Sequence, residues 1–243
     1  MSRKKLIITS AILAVVVLIG GLLAYFTDTT ETKSNVFTVG DKVDIQLNET
    51  WNEKDGQGIA TGETKTKAPK IENIGGNDAY VFIKVSVPKY YDKTADSGNG
   101  AWVEAFSYSV NSGWSQVASN TATANGKSTA SVYVYAYAAA ADSGTMTTLA
   151  KKTTPAGEKG PETTALFDSV TFLPGKTKDY SFTAVENYST TPTASEVKNS
   201  MNIDITGYAI QTTGLTKTED ATQDATTAQE IYACLAQELS LTL

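Results

Sequence analysis

Asp78-Ala-Tyr-Val-Phe-Ile-Lys-Val-Ser-Val-Pro88 carries more of the fold than any other part of the chain. Its β-branched and aromatic residues, broken only by Lys84 and Ser86, predict a strand with a buried face, stopped by Pro88. Shorter segments of the same kind lie on both sides. Val43, Ile45 and Leu47 alternate with Asp44 and Gln46, the period of a half-buried strand. Residues 68–73 form a short strand entered at Pro69. Phe106, Tyr108 and Val110 alternate again. In residues 131–139, Tyr133, Tyr135 and Tyr137 fall on one face and Val132, Val134 and Ala136 on the other. Residues 170–173 and 180–185 flank Pro174-Gly175-Lys176 as a hairpin, and residues 201–211 give a last strand. Residues 220–239 predict one helix, with Ala228, Ile231, Tyr232, Leu235 and Leu239 at helical spacing and Cys234 packed as a small hydrophobe.

Short strands divided by Gly, Asn, Ser and Thr loops predict a mainly β protein. The expected form is an antiparallel β-sandwich of jelly-roll type with a C-terminal helix. Residues 118–161, rich in Ala, Ser and Thr around one strand, are expected to be an insertion in a single domain over residues 25–243.

The first 24 residues differ in kind. Arg3, Lys4 and Lys5 precede a 19-residue uncharged run over residues 6–24, which as a helix reaches about 28 Å, close to a bilayer's hydrocarbon thickness. Two readings stand: a signal helix cleaved between Ala24 and Tyr25, and a retained single-pass anchor. In both, the basic flank stays inside and the rest is exported, with membrane contact only before cleavage in the first.

Removal of residues 1–24 leaves 17 of the 20 basic residues against 26 acidic ones, a formal charge of −9. Arg3 is the only arginine, so the exported part has no guanidinium to grip phosphate, and its field repels nucleic acid. With Cys234 as the one cysteine, no intramolecular disulfide can form. The chain has no histidine, which removes the commonest general base and the commonest zinc ligand.

Several fragments imitate catalytic motifs and fail on spacing. Gly126-Lys127-Ser128-Thr129 has Thr121 where a phosphate-binding loop needs glycine. Gly56-Gln57-Gly58 has Thr61 in place of the third glycine of a dinucleotide fingerprint. Gly113-Trp114-Ser115 lacks the closing glycine of a nucleophile elbow. Leu173-Pro174-Gly175-Lys176-Thr177 has no membrane span after it. Asn52, Glu53 and Asp55 offer hard oxygens but fit no calcium-loop pattern, and read as a solvated loop. No catalytic, cofactor or metal residues are predicted. The Tyr133, Tyr135 and Tyr137 ladder has two readings, a sheet face turned to a core or subunit contact and a stacking surface for carbohydrate.

Ala24-Tyr25-Phe26-Thr27-Asp28 after the hydrophobic segment, Asn35-Val36-Phe37-Thr38-Val39-Gly40, and Val43-Asp44-Ile45-Gln46-Leu47 resemble the start of the TasA/camelysin (CalY) family of Firmicutes. The likeness continues through residues 51–58, 73–87, 166–170 and 208–211. It implies a jelly-roll protein cleaved near Ala24 by a SipW-type signal peptidase, secreted to the cell surface or extracellular matrix, and built into biofilm fibres. The implied partners are its own copies and other matrix proteins. Camelysin itself carries a metalloprotease label, yet this chain has no HExxH motif. The expected function is therefore a fibre subunit and not an enzyme, with a surface adhesin or binding module as the alternative and a metalloprotease behind both. Tyr25, Phe26, Val36, Phe37 and Val39 are the candidate anchors of a free N-terminal strand that completes the sheet edge of a neighbour. In the competing reading, residues 36–39 simply begin the domain's own first strand.

Overall fold

The computed structural model describes residues 27–29, 43–51, 59–92, 95–98, 100–124, 127–139, 144–173, 180–182, 195–197 and 202–239. The predicted leader, the Ala24-Tyr25 junction, and the candidate anchors Phe26, Val36, Phe37 and Val39 lie outside the described residues, as do residues 52–58 and 174–176.

The chain is mainly β. In order, the strands are β1 (Thr27–Thr29), β2 (Ile45–Asn48), β3 (Thr64–Thr66), β4 (Lys70–Asn73), β5 (Ala79–Asp92), β6 (Ala101–Glu104), β7 (Phe106–Ser107), β8 (Trp114–Ala124), β9 (Lys127–Tyr137), β10 (Ser169–Phe172), β11 (Tyr180–Phe182), β12 (Ser195–Val197) and β13 (Asp204–Gln211). One helix, α1 (Ala228–Glu238), follows them. The strands pair into an eight-stranded sheet, a three-stranded sheet ordered β3-β10-β7, and a two-stranded sheet of β2 and β4. The jelly-roll order itself is not read from these pairings. All but the β11–β12 contact are antiparallel.

β5 is the spine of the large sheet. Its first part lies between β13 and β9, with Phe82 opposite both Tyr208 and Ala136. Contrary to expectation, Pro88 does not stop it. β9 pairs as far as Pro88 opposite Ala130, and β6 takes over at Lys89 opposite Glu104. A proline has no N–H to give a ladder, so it suits the point where one partner strand hands over to the next. Its carbonyl accepts from Ala105 N at 2.8 Å.

Alternation along β5 feeds two cores. Val81, Ile83, Val85 and Val87 pack with Ile45, Ile71, Phe106, Tyr135, Leu166, Phe167 and Val170, between the large sheet and the small ones. Phe82 packs with Val134, Tyr208 and Ile210 against Ile231, Tyr232 and Leu235 of α1 on the opposite face. The helix thus covers one side of the large sheet while the small sheets cover the other.

Two local readings are corrected. The hairpin expected across residues 170–185 does not form: β10 is paired by β3 and by β7, and β11 pairs with β12 in the large sheet. With both of its edges occupied, β10 has none left for β11. The helix starts at Ala228 and not at residue 220, because Thr227 accepts from Glu230 N at 3.3 Å and the Glu230 carboxylate accepts from Thr227 N in return. Residues 118–161 hold most of the β8–β9 hairpin, and β9 lies directly beside β5 with Tyr135 in one core and Val134 in the other.

Candidate functional site

The three-residue β1 falls inside the N-terminal segment picked out from the sequence. It pairs with the outer edge of β13, Thr27 opposite Ile210, Asp28 opposite Ala209 and Thr29 opposite Tyr208. The rest of that β13 edge, Asp204 to Gly207, has no strand beside it among the described residues. Sheet edges carry unpaired N–H and C=O groups that another strand can satisfy. Residues 27–29 therefore meet the sheet as a short edge strand.

The far edge belongs to β8, which among the described residues pairs only with β9. There is no charged residue between Glu104 and Lys127. The ladder breaks register between Gln116 and Ala118 and again between Ala122 and Thr123. The first break drops Val117 into the core beneath α1. Bulges of this kind roughen an edge that charge leaves unprotected.

A groove of about 710 Å³ opens where the second half of β5 meets β6, β8 and β9. Lys89, Asp92, Trp102, Glu104, Ser131 and Tyr133 line it. Cross-strand pairing sets Lys89 opposite Glu104 and Tyr91 opposite Trp102. The Tyr91 and Trp102 rings meet edge to face with centroids 5.6 Å apart. The Tyr133 hydroxyl donates to Glu104 Oε1. Burial, and then this bond to Glu104, push the Tyr133 phenol above its usual range, so it remains a donor. Behind it, Tyr108 and Tyr135 share a hydroxyl hydrogen bond of 3.0 Å, and burial raises both phenols. Of the three ladder tyrosines, Tyr135 belongs to the core, Tyr137 stacks on Trp114, and Tyr133 alone reaches the groove. The sequence analysis missed Trp102 and Glu104. Their separation by two residues, just before Phe106 and Tyr108, was the available signal.

A second polar cluster ties β2 and β4 to residues 159–162. Asn48 Nδ2 donates to Glu72 Oε2 at 2.8 Å and to Glu162 Oε1 at 3.0 Å. Glu72 Oε1 accepts from Gly160 N at 2.6 Å, and Lys159 pairs with Glu162 at 3.0 Å. The Lys159 ammonium, then the Asn48 amide, hold the Glu162 carboxyl below its ordinary range. Every carboxylate here already has protein donors, as a structural network does.

A catalytic zinc needs nitrogen, sulfur or carboxylate ligands gathered at one point. Among the described residues no group of three or more His, Cys, Asp or Glu is so gathered. Cys234, the one cysteine, is buried on α1 and donates to Thr216 O at 2.9 Å. Burial, then the nearby Glu238 and Glu230, push its thiol up, away from the thiolate a metal requires. These donors do not fit a zinc centre.

The fold and its edges define a class: a mainly β protein with one helix among the described residues packed on its large sheet, and with residues 27–29 laid on a sheet edge. Residues 2–108 match the family model described as camelysin metallo-endopeptidase, so this part of the chain is similar to that family. No curated protein and no solved structure matches the chain.

Proposed function

We propose that the chain is a secreted structural subunit of extracellular matrix fibres, joined head to tail through its N-terminal strand, and not a peptidase. The reading is carried by the pairing of Thr27–Thr29 with the edge of β13. A three-residue pairing is easily exchanged for the same residues of a neighbouring copy, because the exchanged contacts are identical. Residues 25–39 carry Tyr25, Phe26, Val36, Phe37 and Val39 as further anchors for a longer exchanged strand. Each Val or Phe that becomes fully buried contributes roughly 1.5–3 kcal/mol before ordering costs. A head-to-tail contact of this kind does not close on itself and yields a filament.

Cleavage between Ala24 and Tyr25 by a SipW-type signal peptidase is then the switch, since the uncleaved segment is held in the membrane. The likeness to camelysin supports a location at the cell surface or in the matrix. The decisive experiment compares the protein beginning at residue 25 with a form lacking residues 25–33, by electron microscopy and gel filtration over a concentration and pH series. The shorter form is expected to be a folded monomer that no longer polymerises. Equal fibre formation by both would end the proposal.

A further inference from the structure

We propose that Tyr133 is a redox-active tyrosine: a high-valent metal oxidant takes one electron from its ring while Glu104 takes its proton. The site depends on the contact between β6 and β9 and is independent of the assembly reading. A phenol resists losing an electron while it keeps its proton, because the radical cation left behind is a strong acid. The loss becomes easier when a base already holds the hydroxyl and receives the proton in the same step. The Tyr133 hydroxyl donates to Glu104 Oε1, so proton and base are in contact before any oxidant arrives. The electron goes to the oxidant, the O–H bond of Tyr133 breaks, and a new O–H bond forms on Glu104. A neutral phenoxyl radical is left beside a neutral carboxylic acid. The pair passes from one negative charge to none, which a half-buried setting favours.

The sheet holds both partners in place. Tyr133 lies opposite Val85 of β5 and Ser119 of β8, and Glu104 lies opposite Lys89 of β5. The buried Ser131 side chain hydrogen-bonds Tyr133 in the sense that favours the oxygen without its proton. Neighbouring rings lack such a base. Tyr108 and Tyr135 share a hydroxyl hydrogen bond of 3.0 Å, so whichever of them donates has only a neutral phenol oxygen to receive its proton. Trp114 Nε1 donates to the Thr164 carbonyl, which is no better a base. The Tyr108 and Tyr135 rings nevertheless form a row with Tyr133, with centroids 6.4 Å and 6.3 Å apart in turn, inside the range of aromatic contact. An electron vacancy formed on either buried ring is therefore drawn outward to Tyr133, where the proton can leave.

The test is photo-oxidation of the full-length chain in detergent micelles by tris(bipyridine)ruthenium with persulfate, frozen at early times and read by electron paramagnetic resonance. The initial rate of the phenoxyl signal is expected to fall in Tyr133→Phe, which keeps the ring, and to hold in Tyr137→Phe. A glutamine at position 104 can still accept the hydroxyl but cannot keep its proton. Glu104→Gln should therefore slow the Tyr133 component, the part that Tyr133→Phe removes, by at least about tenfold. The same component should form more slowly in heavy water, because the proton moves with the electron. That comparison uses the parent protein and decides the matter should Glu104→Gln fail to fold, which far-UV circular dichroism reads directly. An unchanged rate in Tyr133→Phe, an equal loss in Tyr137→Phe, an unchanged rate in folded Glu104→Gln, or equal rates in light and heavy water would each overturn the assignment.

Discussion

Gly160 makes its contact through what it lacks. A Cβ there would stand 2.1 Å from the Asn73 carbonyl oxygen, while Gly160 N donates to Glu72. Asn73 has nowhere to retreat: it is fully buried, donates to Asn77 O and Leu149 O, and accepts from Gly75 N. Gly160→Ala is expected to cost about 1–3 kcal/mol. That corresponds to a fall in Tm of about 2–12 °C in scanning calorimetry. An unchanged Tm would mean that residues 159–162 shift freely. Residue types also bear on the peptidase label. Without histidine, and with Cys234 buried and bonded to Thr216 O, a zinc ion would have to be held by carboxylates, and among the described residues no three of them gather. Casein incubated with the purified protein should be degraded no faster with added zinc than with a chelator. Chelator-sensitive cleavage abolished by substitution of one carboxylate would reverse that reading.

At the scale of the element, α1 depends on its first turn. Glu230 Oε2 accepts from Thr227 N at 3.0 Å and from Thr226 N at 2.9 Å, while Lys217 pairs with its other oxygen at 2.9 Å. The two backbone donors first, then the Lys217 ammonium, bring the Glu230 carboxyl down to about 2. A lowered folded pKa means that the ionised form is favoured by folding. Its stabilising effect is therefore complete above the unfolded value of 4.5 and is lost as pH falls from there toward about 2. Amide exchange at residues 228–232 should quicken across that window in the parent protein. Glu230→Gln should already exchange faster at neutral pH and show little further change on acidification. Thr227→Ala removes the reciprocal bond and should cost about 1 kcal/mol.

Over the whole molecule, the large sheet is closed on both faces and only lightly guarded at its edges. Leu235 of α1 is fully buried in the cluster that holds Phe82, Tyr208 and Ile210. Leu235→Ala should cost about 2–5 kcal/mol in guanidinium unfolding. A loss below about 1 kcal/mol would show that the helix is an ornament and not the second wall of the core. The edges are a separate matter. β13 is paired with β1 over three of its eight residues, and β8 is uncharged but broken twice in register. The two edges therefore differ in how readily they accept a foreign strand. β13 already pairs regularly with a segment that a neighbour could supply, whereas the bulges of β8 interrupt any long ladder.

Period-2 patterning was enough to place β5 and the faces of β9, because alternate burial leaves its mark on residue type without reference to any other part of the chain. The helix was legible for a similar reason, from Ala228, Ile231, Tyr232 and Leu235 at helical spacing. Its start was less so. Residues 220–226 are mostly polar and suit a turn as well as a helix, and the Thr227–Glu230 bonds choose between them. Pairing was beyond local reading. Pro88 looks like a stop, and becomes a hand-over only because β6 arrives where β9 ends. Residues 118–161 look like an insertion by composition, since Ala, Ser and Thr carry little hydrophobic signal. Yet β9 sits beside β5, because its Val134 and Tyr135 find partners far away in sequence. The groove belongs to tertiary structure entirely. Lys89, Trp102, Ser131 and Tyr133 come from three strands, and no local rule of spacing relates them until the sheet has formed.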